Sequence, residues 1–202
     1  MNVGITGHQD LGSPATEAWI RQTLGRLIEA YRVTRGFTCL AAGADQVYAE
    51  LLANRGIPYT PVLPCRRYEE AFQDAGARER FKTLLSAARK VVWLDFDRPS
   101  QAAYFEAGKE VVDRSDMVFA VWDGKPARGF GGTADVVSYA LARRIPVIHL
   151  DTARLHVVPI RTQPIIVSLE DFAGSIIWRE SSLTLKGSGS ASSIVVGDFL
   201  PR

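Results

Sequence analysis

Six short apolar runs, Val3 to Thr6, Phe37 to Ala42, Tyr59 to Leu63, Val91 to Leu94, Met117 to Trp122 and Pro146 to Leu150, punctuate the chain. Between them lie segments whose apolar residues recur at helical spacing. A strand that returns in the same direction needs a crossover, usually a helix, so repeated strand–helix order predicts a parallel sheet covered by helices on both faces. The expected class is α/β, a Rossmann-like doubly wound parallel sheet.

The connecting segments carry their own start and stop signals. Ser13 followed by Pro14 predicts an N-cap and a first helical position, and Ile20, Leu24, Leu27, Ile28 and Tyr31 form one buried stripe, with Gly36 read as the end of that helix. Gly43-Ala44-Asp45 reads as a turn, followed by a helix that buries Val47, Leu51 and Leu52 and closes at Gly56. Tyr68 to Arg89 places Phe72, Phe81, Leu84 and Leu85 at helical intervals, with a break expected near Gly76. Ala102 to Arg114 and Thr133 to Arg144 supply the last two helices.

After Leu150 the alternation stops. Ile165 to Leu169 and Ser175 to Trp178 read as strands, and Leu183 to Leu185 with Ile194 to Val196 as a hairpin. Gly187 to Ser193 is either its turn or a flexible linker that leaves a terminal strand for a protein partner. The expected organisation is a Rossmann-like domain over residues 1–150 and a small C-terminal β extension over 151–202.

Composition narrows the ligand class. Apolar residues make up 47% and charged residues 23% of 202, as in ordinary globular domains. Net charge is only +2, and Lys and Arg are scattered among Asp and Glu, so a small ligand is expected and nucleic acid is not. Cys39 and Cys65 lack metal-ligand spacing, so no metal and no further cofactor are expected, and a reduced compartment fits. The first residues show no charged leader before a long apolar region, and no run approaches the roughly 20 apolar residues of a membrane span; a cytoplasmic location is expected.

Ligands of open parallel sheets bind outside the carboxyl ends of the strands, where loops diverge and helix N-termini point inward. The Gly-rich turns lie there: Thr6-Gly7-His8 after the first strand, Gly43-Ala44-Asp45 after the second, Pro64 after the third, and Asp123-Gly124 with Gly131-Gly132-Thr133 after the fifth. Gly131 and Gly132 allow the backbone close to a phosphate while the next helix aims its first N–H groups at it, and the Thr133 hydroxyl can donate or simply cap that helix. Gly7 and His8 can hold an anion. Gly43 and Ala44 clear space beside Asp45, which can accept from ribose hydroxyls or cap the second helix. Trp122 can offer a flat face to a base. Asp135 and Glu106 are the candidate catalytic carboxylates, with a helix-dipole role as the plainer reading of Asp135.

Val-Gly-Ile-Thr-Gly-His at residues 3–8, Ala-Ala-Gly-Ala-Asp at 41–45, Ser-Asp-Met-Val-Phe-Ala-Val-Trp-Asp-Gly at 115–124 and Gly-Gly-Thr-Ala-Asp-Val at 131–136 resemble the SLOG superfamily. That group holds the Smf/DprA DNA-processing proteins, the LOG phosphoribohydrolases and nucleotide-sensing domains of bacterial anti-phage systems. The resemblance covers residues 1–150 and implies a Rossmann-like fold that binds nucleotides or nucleotide-derived messengers such as cyclic ADP-ribose isomers. The phosphoribohydrolases carry Pro-Gly-Gly-x-Gly-Thr-x-x-Glu, whereas the position three residues after Thr133 is Val136. Asp135 is one residue earlier, about 100° around a helix, which weighs against hydrolysis by that route.

Three functions are therefore expected in descending order. The first is a binding module that acts as a sensor or effector in bacterial defence or signalling, forms a homo-oligomer, and passes occupancy to assembly or to a partner through the tail. The second is an enzyme that cleaves an N-glycosidic bond, with Asp135 or Glu106 opposite the sugar. The third is single-stranded DNA binding, for which Arg66 and Arg67 are the nearest thing to a basic patch.

Overall fold

The computed structural model describes residues 1–126 and 131–160, together with the backbone of 176–179, 182–185 and 192–194. Chain contacts divide it into two units, Met1–Thr162 and Gln163–Arg202.

The first unit has the strands β1 (Asn2–Gly7), β2 (Arg35–Thr38), β3 (Tyr59–Leu63), β4 (Val92–Trp93), β5 (Met117–Trp122), β6 (Val147–Asp151) and β7 (His156–Ile160). Its helices are α1 (Pro14–Ala30), α2 (Ala44–Ala53), α3 (Ala75–Ala87), α4 (Gln101–Asp113) and α5 (Thr133–Ala142), with a 3-10 turn at Tyr68–Ala71. The seven strands lie in the order β4-β3-β2-β1-β5-β6-β7. All neighbours are parallel except β7, which returns antiparallel along β6 with Val147 opposite Ile160. The fold is the expected doubly wound α/β sheet, extended past Leu150 by one antiparallel edge strand.

Two apolar layers clamp the sheet. Val3, Ile5, Phe119 and Val121 face α1, α2 and α3 through Ile20, Leu24, Tyr48, Leu52 and Phe81. Val118, Ala120 and Val147 face α4 and α5 through Val112, Val137 and Ala140, while Phe37 and Val62 meet Ala107 and Val111. Alternate residues of β5 thus enter opposite layers, as the period of two in a strand requires. Strand order reverses between β1 and β5, where the His8 N–H donates to the Val121 carbonyl at 2.9 Å. That reversal is the topological switch point of the sheet.

Some local expectations shift. Gly36 does not end α1; it lies inside β2, where an added Cβ would come within 2.2 Å of Leu52 Cδ1. The helix stops instead at Ala30, and the chain turns through Arg32 at a φ of 48°. The break between the 3-10 turn and α3 falls just before Gly76, because Asp74 caps α3 by accepting from the Ala77 N–H at 2.7 Å. The run 37–42 is a strand only to Thr38, since Leu40 has a φ of 55° and its N–H donates to Thr38 Oγ1.

In the second unit, β8 (Ile176–Arg179), β9 (Ser182–Leu185) and β10 (Ser192–Ile194) form an antiparallel sheet in the order β10-β9-β8. The expected hairpin is present, with Leu183 opposite Ile194. The expected strand at 165–169 and residues 187–191 of the segment 187–193, expected as turn or linker, lie outside the described residues, while Ser192 and Ser193 belong to β10.

Candidate functional site

The carboxyl ends of β1, β2, β3 and β5 open onto one cleft of about 440 Å³ at the switch point. Of the residues predicted from sequence, Thr6, Gly7, His8, Asp45, Pro64, Asp123, Gly131, Gly132 and Thr133 line it. Gly43, Ala44, Gly124, Asp135 and Glu106 do not. Four loops distant in sequence are thus brought to one rim.

Gly43 and Ala44 act one layer behind the surface. Gly43 has a φ of 80°, and a Cβ there would meet the His8 and Gln9 carbonyl oxygens at 2.4 and 2.3 Å. The Ala44 N–H donates to the His8 carbonyl at 3.2 Å. The β2–α2 turn therefore holds the β1–α1 loop in place, which only a residue without a side chain permits. Gly7 is enclosed as tightly, between Ala44 and Val121.

Asp45 is 4% exposed and turns back toward the end of β2. Its Oδ2 accepts from the Cys39 N–H at 2.8 Å and from the Thr38 hydroxyl at 3.0 Å. Burial pushes its pKa up to about 6, against the opposing pull of the Thr38 hydroxyl and the Cys39 and Ala41 N–H groups. It does not cap α2, whose N-cap is Gly43.

Across the switch point His8 Nε2 stands 3.7 Å from Asp123 Oδ1. Asp123 also accepts from the Lys125 N–H at 3.1 Å, and Lys125 Nζ lies 3.1 Å from its other oxygen. Partial desolvation alone would raise the Asp123 pKa, but the Lys125 hydrogen bonds and the nearby His8 outweigh it and leave the carboxyl below its usual range. Trp122 also lines the cleft; its ring packs on His149 with centroids 4.8 Å apart, and its Nε1 donates to the Lys125 carbonyl at 2.7 Å.

The α5 end of the cleft is formed by a glycine turn and the N-terminus of the helix. Gly132 is the N-cap of α5 and makes no side-chain capping bond, so Thr133 opens the helix instead of capping it. The first amides of a helix have no partner within it and lie at the positive end of its dipole. Gly131, with a φ of 87°, packs so close to α4 that a Cβ would sit 2.6 Å from the Gln101 carbonyl.

Neither candidate catalytic carboxylate faces the cleft. Asp135 Oδ2 accepts from the Gly131 N–H at 2.8 Å, and Glu106 is exposed and paired with Lys109 at 2.7 Å. Within α5 the cleft is lined by Thr133, Ala134 and Val136, the last 3% exposed. Val136 packs against the bare α4 backbone at Gly108, where a Cβ would lie 2.5 Å from Val136 Cγ2.

Sequence reasoning missed Cys39, Tyr68, Tyr104, Lys125 and Gly108 as lining residues. Tyr68 follows the carboxyl end of β3, so the rule that places ligands at strand ends could have found it. Tyr104 and Gly108 lie mid-helix, where only packing decides which face meets the site. Arg66 and Arg67 turn away from the cleft toward carboxylates of the β4–α4 loop, with Arg66 at 3.0 Å from Asp95 and Arg67 at 3.8 Å from Asp97. Among the described residues no group of His, Cys, Asp and Glu could hold a metal, and no helix is long and apolar enough to cross a membrane.

No protein-family model and no curated protein sequence matches the chain. Solved structures do. DNA processing protein A from Helicobacter pylori, described for a unique single-stranded DNA binding mode, superposes with a TM-score of 0.54 at 18% identity, over 74% of this chain and 64% of that one. DNA processing protein A from Streptococcus pneumoniae gives 0.55 at 10% identity, over 73% of this chain and 49% of that one. A molybdenum cofactor binding protein from Rippkaea orientalis gives 0.49 at 19% identity, over 76% and 80%. The chain thus spans about two-thirds and about half of the two DNA processing proteins it matches. At these identities the likeness shows the fold alone, and that fold is the expected Rossmann-like α/β sheet.

Proposed function

We propose that the chain binds a nucleotide or nucleotide-derived ligand in this cleft, with its phosphate on the first amides of α5 and its sugar over Gly7 and His8. The observation that carries the reading is the meeting of the β1, β2, β3 and β5 loops beside the uncapped α5 N-terminus. Backbone amides there favour negative charge and need no arginine to do so. On this reading occupancy is the output: the protein serves as a sensor or effector in bacterial defence or signalling, with assembly or a partner of residues 151–202 as the responding element.

Two observations support binding over cleavage of an N-glycosidic bond. Val136 puts a methyl group where the phosphoribohydrolases carry glutamate, and the two candidate catalytic carboxylates, Asp135 and Glu106, are engaged elsewhere. The fold likeness to DNA processing protein A makes single-stranded DNA the rival ligand. The cleft favours the smaller one: among its described lining residues there is no arginine, and the lysine, Lys125, is paired with Asp123. A single-strand groove calls for a run of cations and stacking rings.

A thermal-shift screen of nucleotides tests the reading. A ligand present at 100 times its dissociation constant adds about 2.7 kcal/mol of stability. Stabilisation of the wild type that disappears in Gly132→Trp supports it. Shifts unchanged in that variant contradict it, and so does tight, salt-sensitive retention of oligodeoxynucleotide on filters with no nucleotide response.

A further inference from the structure

We infer that the far end of the cleft, beneath the β3–α3 connection, reads the base of that nucleotide and selects an amino-bearing nucleobase, with the Tyr68 hydroxyl as a specificity-determining contact. The inference rests on the nucleotide reading above, and four observations on this end of the cleft carry it.

The first is reach. The cleft runs from the loop after β3 to the start of α5 after β5, and β3-β2-β1-β5 are consecutive neighbours in the sheet. Neighbouring strands stand about 4.8 Å apart, so these two ends are separated by roughly 14 Å. That is too long for a phosphosugar alone and suits a base, a pentose and a phosphate laid in line.

The second is an unpartnered polar group. Tyr68 is 5% exposed, and Phe72, Phe81 and Tyr104 hold its ring at centroid distances of 5.3, 5.6 and 6.2 Å. What remains of it for the cleft is the hydroxyl end. No residue described here takes a hydrogen bond from that hydroxyl or gives one to it, and the fully enclosed side-chain polar atom without a partner is Gln46 Oε1. The Tyr68 oxygen therefore opens onto the cleft. A phenol held this rigidly meets a ligand with little further loss of conformational freedom.

The third is polarity. Tyr68 shares this end with the Asp45 carboxylate, the Cys39 thiol and Tyr104. Asp45 accepts and, when ionised, cannot donate. The Tyr68 hydroxyl can donate or accept, but the neighbouring Asp45 carboxylate favours the orientation with its proton toward the acid and its lone pairs toward a ligand, so an exocyclic amino group is met by acceptors and a carbonyl by negative charge. The fourth is shape. Ala41 and Ala107, with the backbone at Gly7 and Gly108, add little side-chain bulk to the lining, which leaves room for a ring and a pentose.

The experiment is a calorimetric titration of wild type and Tyr68→Phe with AMP, IMP, CMP, UMP and ribose 5-phosphate. In the wild type the amino member of at least one pair, AMP over IMP or CMP over UMP, should bind about tenfold tighter than its carbonyl counterpart and tighter than ribose 5-phosphate. Tyr68→Phe keeps the ring packing, so its unliganded melting midpoint and its affinity for ribose 5-phosphate should stay at the wild-type level while most of the nucleotide's advantage is lost. Ribose 5-phosphate binding with no amino preference in either pair overturns the base subsite alone. A Tyr68→Phe variant that retains the full preference overturns the role of Tyr68. Failure of all five compounds to bind the wild type removes the nucleotide reading itself.

Discussion

The Asp135 carboxylate accepts a hydrogen bond from the Gly131 N–H at 2.8 Å, so the acidic residue beside Val136 closes the glycine turn before α5 and is absent from the cleft lining. A charge-assisted bond to a backbone amide is worth roughly 1.5–3 kcal/mol where it is well shielded. On the proposed reading it sets the angle at which Gly132 and the first amides of α5 would meet a ligand.

This arrangement predicts a split between two substitutions. Asp135→Asn keeps an acceptor oxygen and should bind nucleotide close to the wild-type level. Asp135→Ala frees the Gly131 N–H and should weaken binding about five- to tenfold, by roughly 1 kcal/mol. Equal and complete loss in both variants, measured by titration calorimetry, would point to direct participation of the carboxylate.

The glycine turns differ in what they tolerate. Gly43 and Gly12 both have positive φ, at 80° and 77°, but a Cβ at Gly12 meets nothing within 4 Å whereas one at Gly43 strikes two carbonyl oxygens. Gly12→Ala should cost about 1 kcal/mol, the backbone term alone. Gly43→Ala should cost roughly 3 kcal/mol and disturb the His8 loop as well. Urea denaturation midpoints compare the two directly.

Asp45 predicts an unusual pH slope. Its folded pKa is about 6, above the value near 4 of an unfolded aspartate, so between those limits the folded chain binds more protons than the unfolded one. Its contribution to stability is complete below about pH 4 and is lost as pH rises through about 6, a swing on the order of 2–3 kcal/mol. Asp45→Asn removes that swing. Denaturation at pH 4.5 and 7 should show the wild type losing more stability, relative to the variant, at the higher pH; a constant difference would refute the assignment.

Gly108 and Val136 should behave as a coupled pair. Gly108→Ala forces a methyl group into Val136 and should cost roughly 1–3 kcal/mol, while Val136→Ala leaves a small void that costs a similar amount. The double variant lets the new methyl occupy the vacated space. Its cost should therefore fall below the sum of the two single changes by at least about 0.5 kcal/mol in a double-mutant cycle.

Much of the framework was legible along the chain, because a period of two or of 3.6 is a local property and each run carries its own turn signals. The strands β1, β3 and β5 and the capping of α1 by Ser13 follow from residues adjacent in sequence. Gly36 misled for the opposite reason: its role is to let Leu52 and Tyr48 approach β2, a contact with no trace in the neighbouring residues. Its value as a helix terminator was an equally sound local reading that tertiary packing overrode.

The same division holds for the cleft. The sequence by itself determined that Gly-rich turns follow the strands of a parallel sheet, and this geometry is enough to gather Gly7, Asp45 and Gly132 at one rim. Only the tertiary structure decided where each functional group points. Asp45 turns back to Thr38 and Cys39, Asp135 to Gly131 and Glu106 outward to Lys109, while Tyr68 and Val136 supply surface that spacing did not announce. A side chain's direction follows from the partner that satisfies it and the space left by its neighbours, and for a residue such as Tyr68, enclosed by a helix on either side of the sheet edge, those neighbours come from distant parts of the chain.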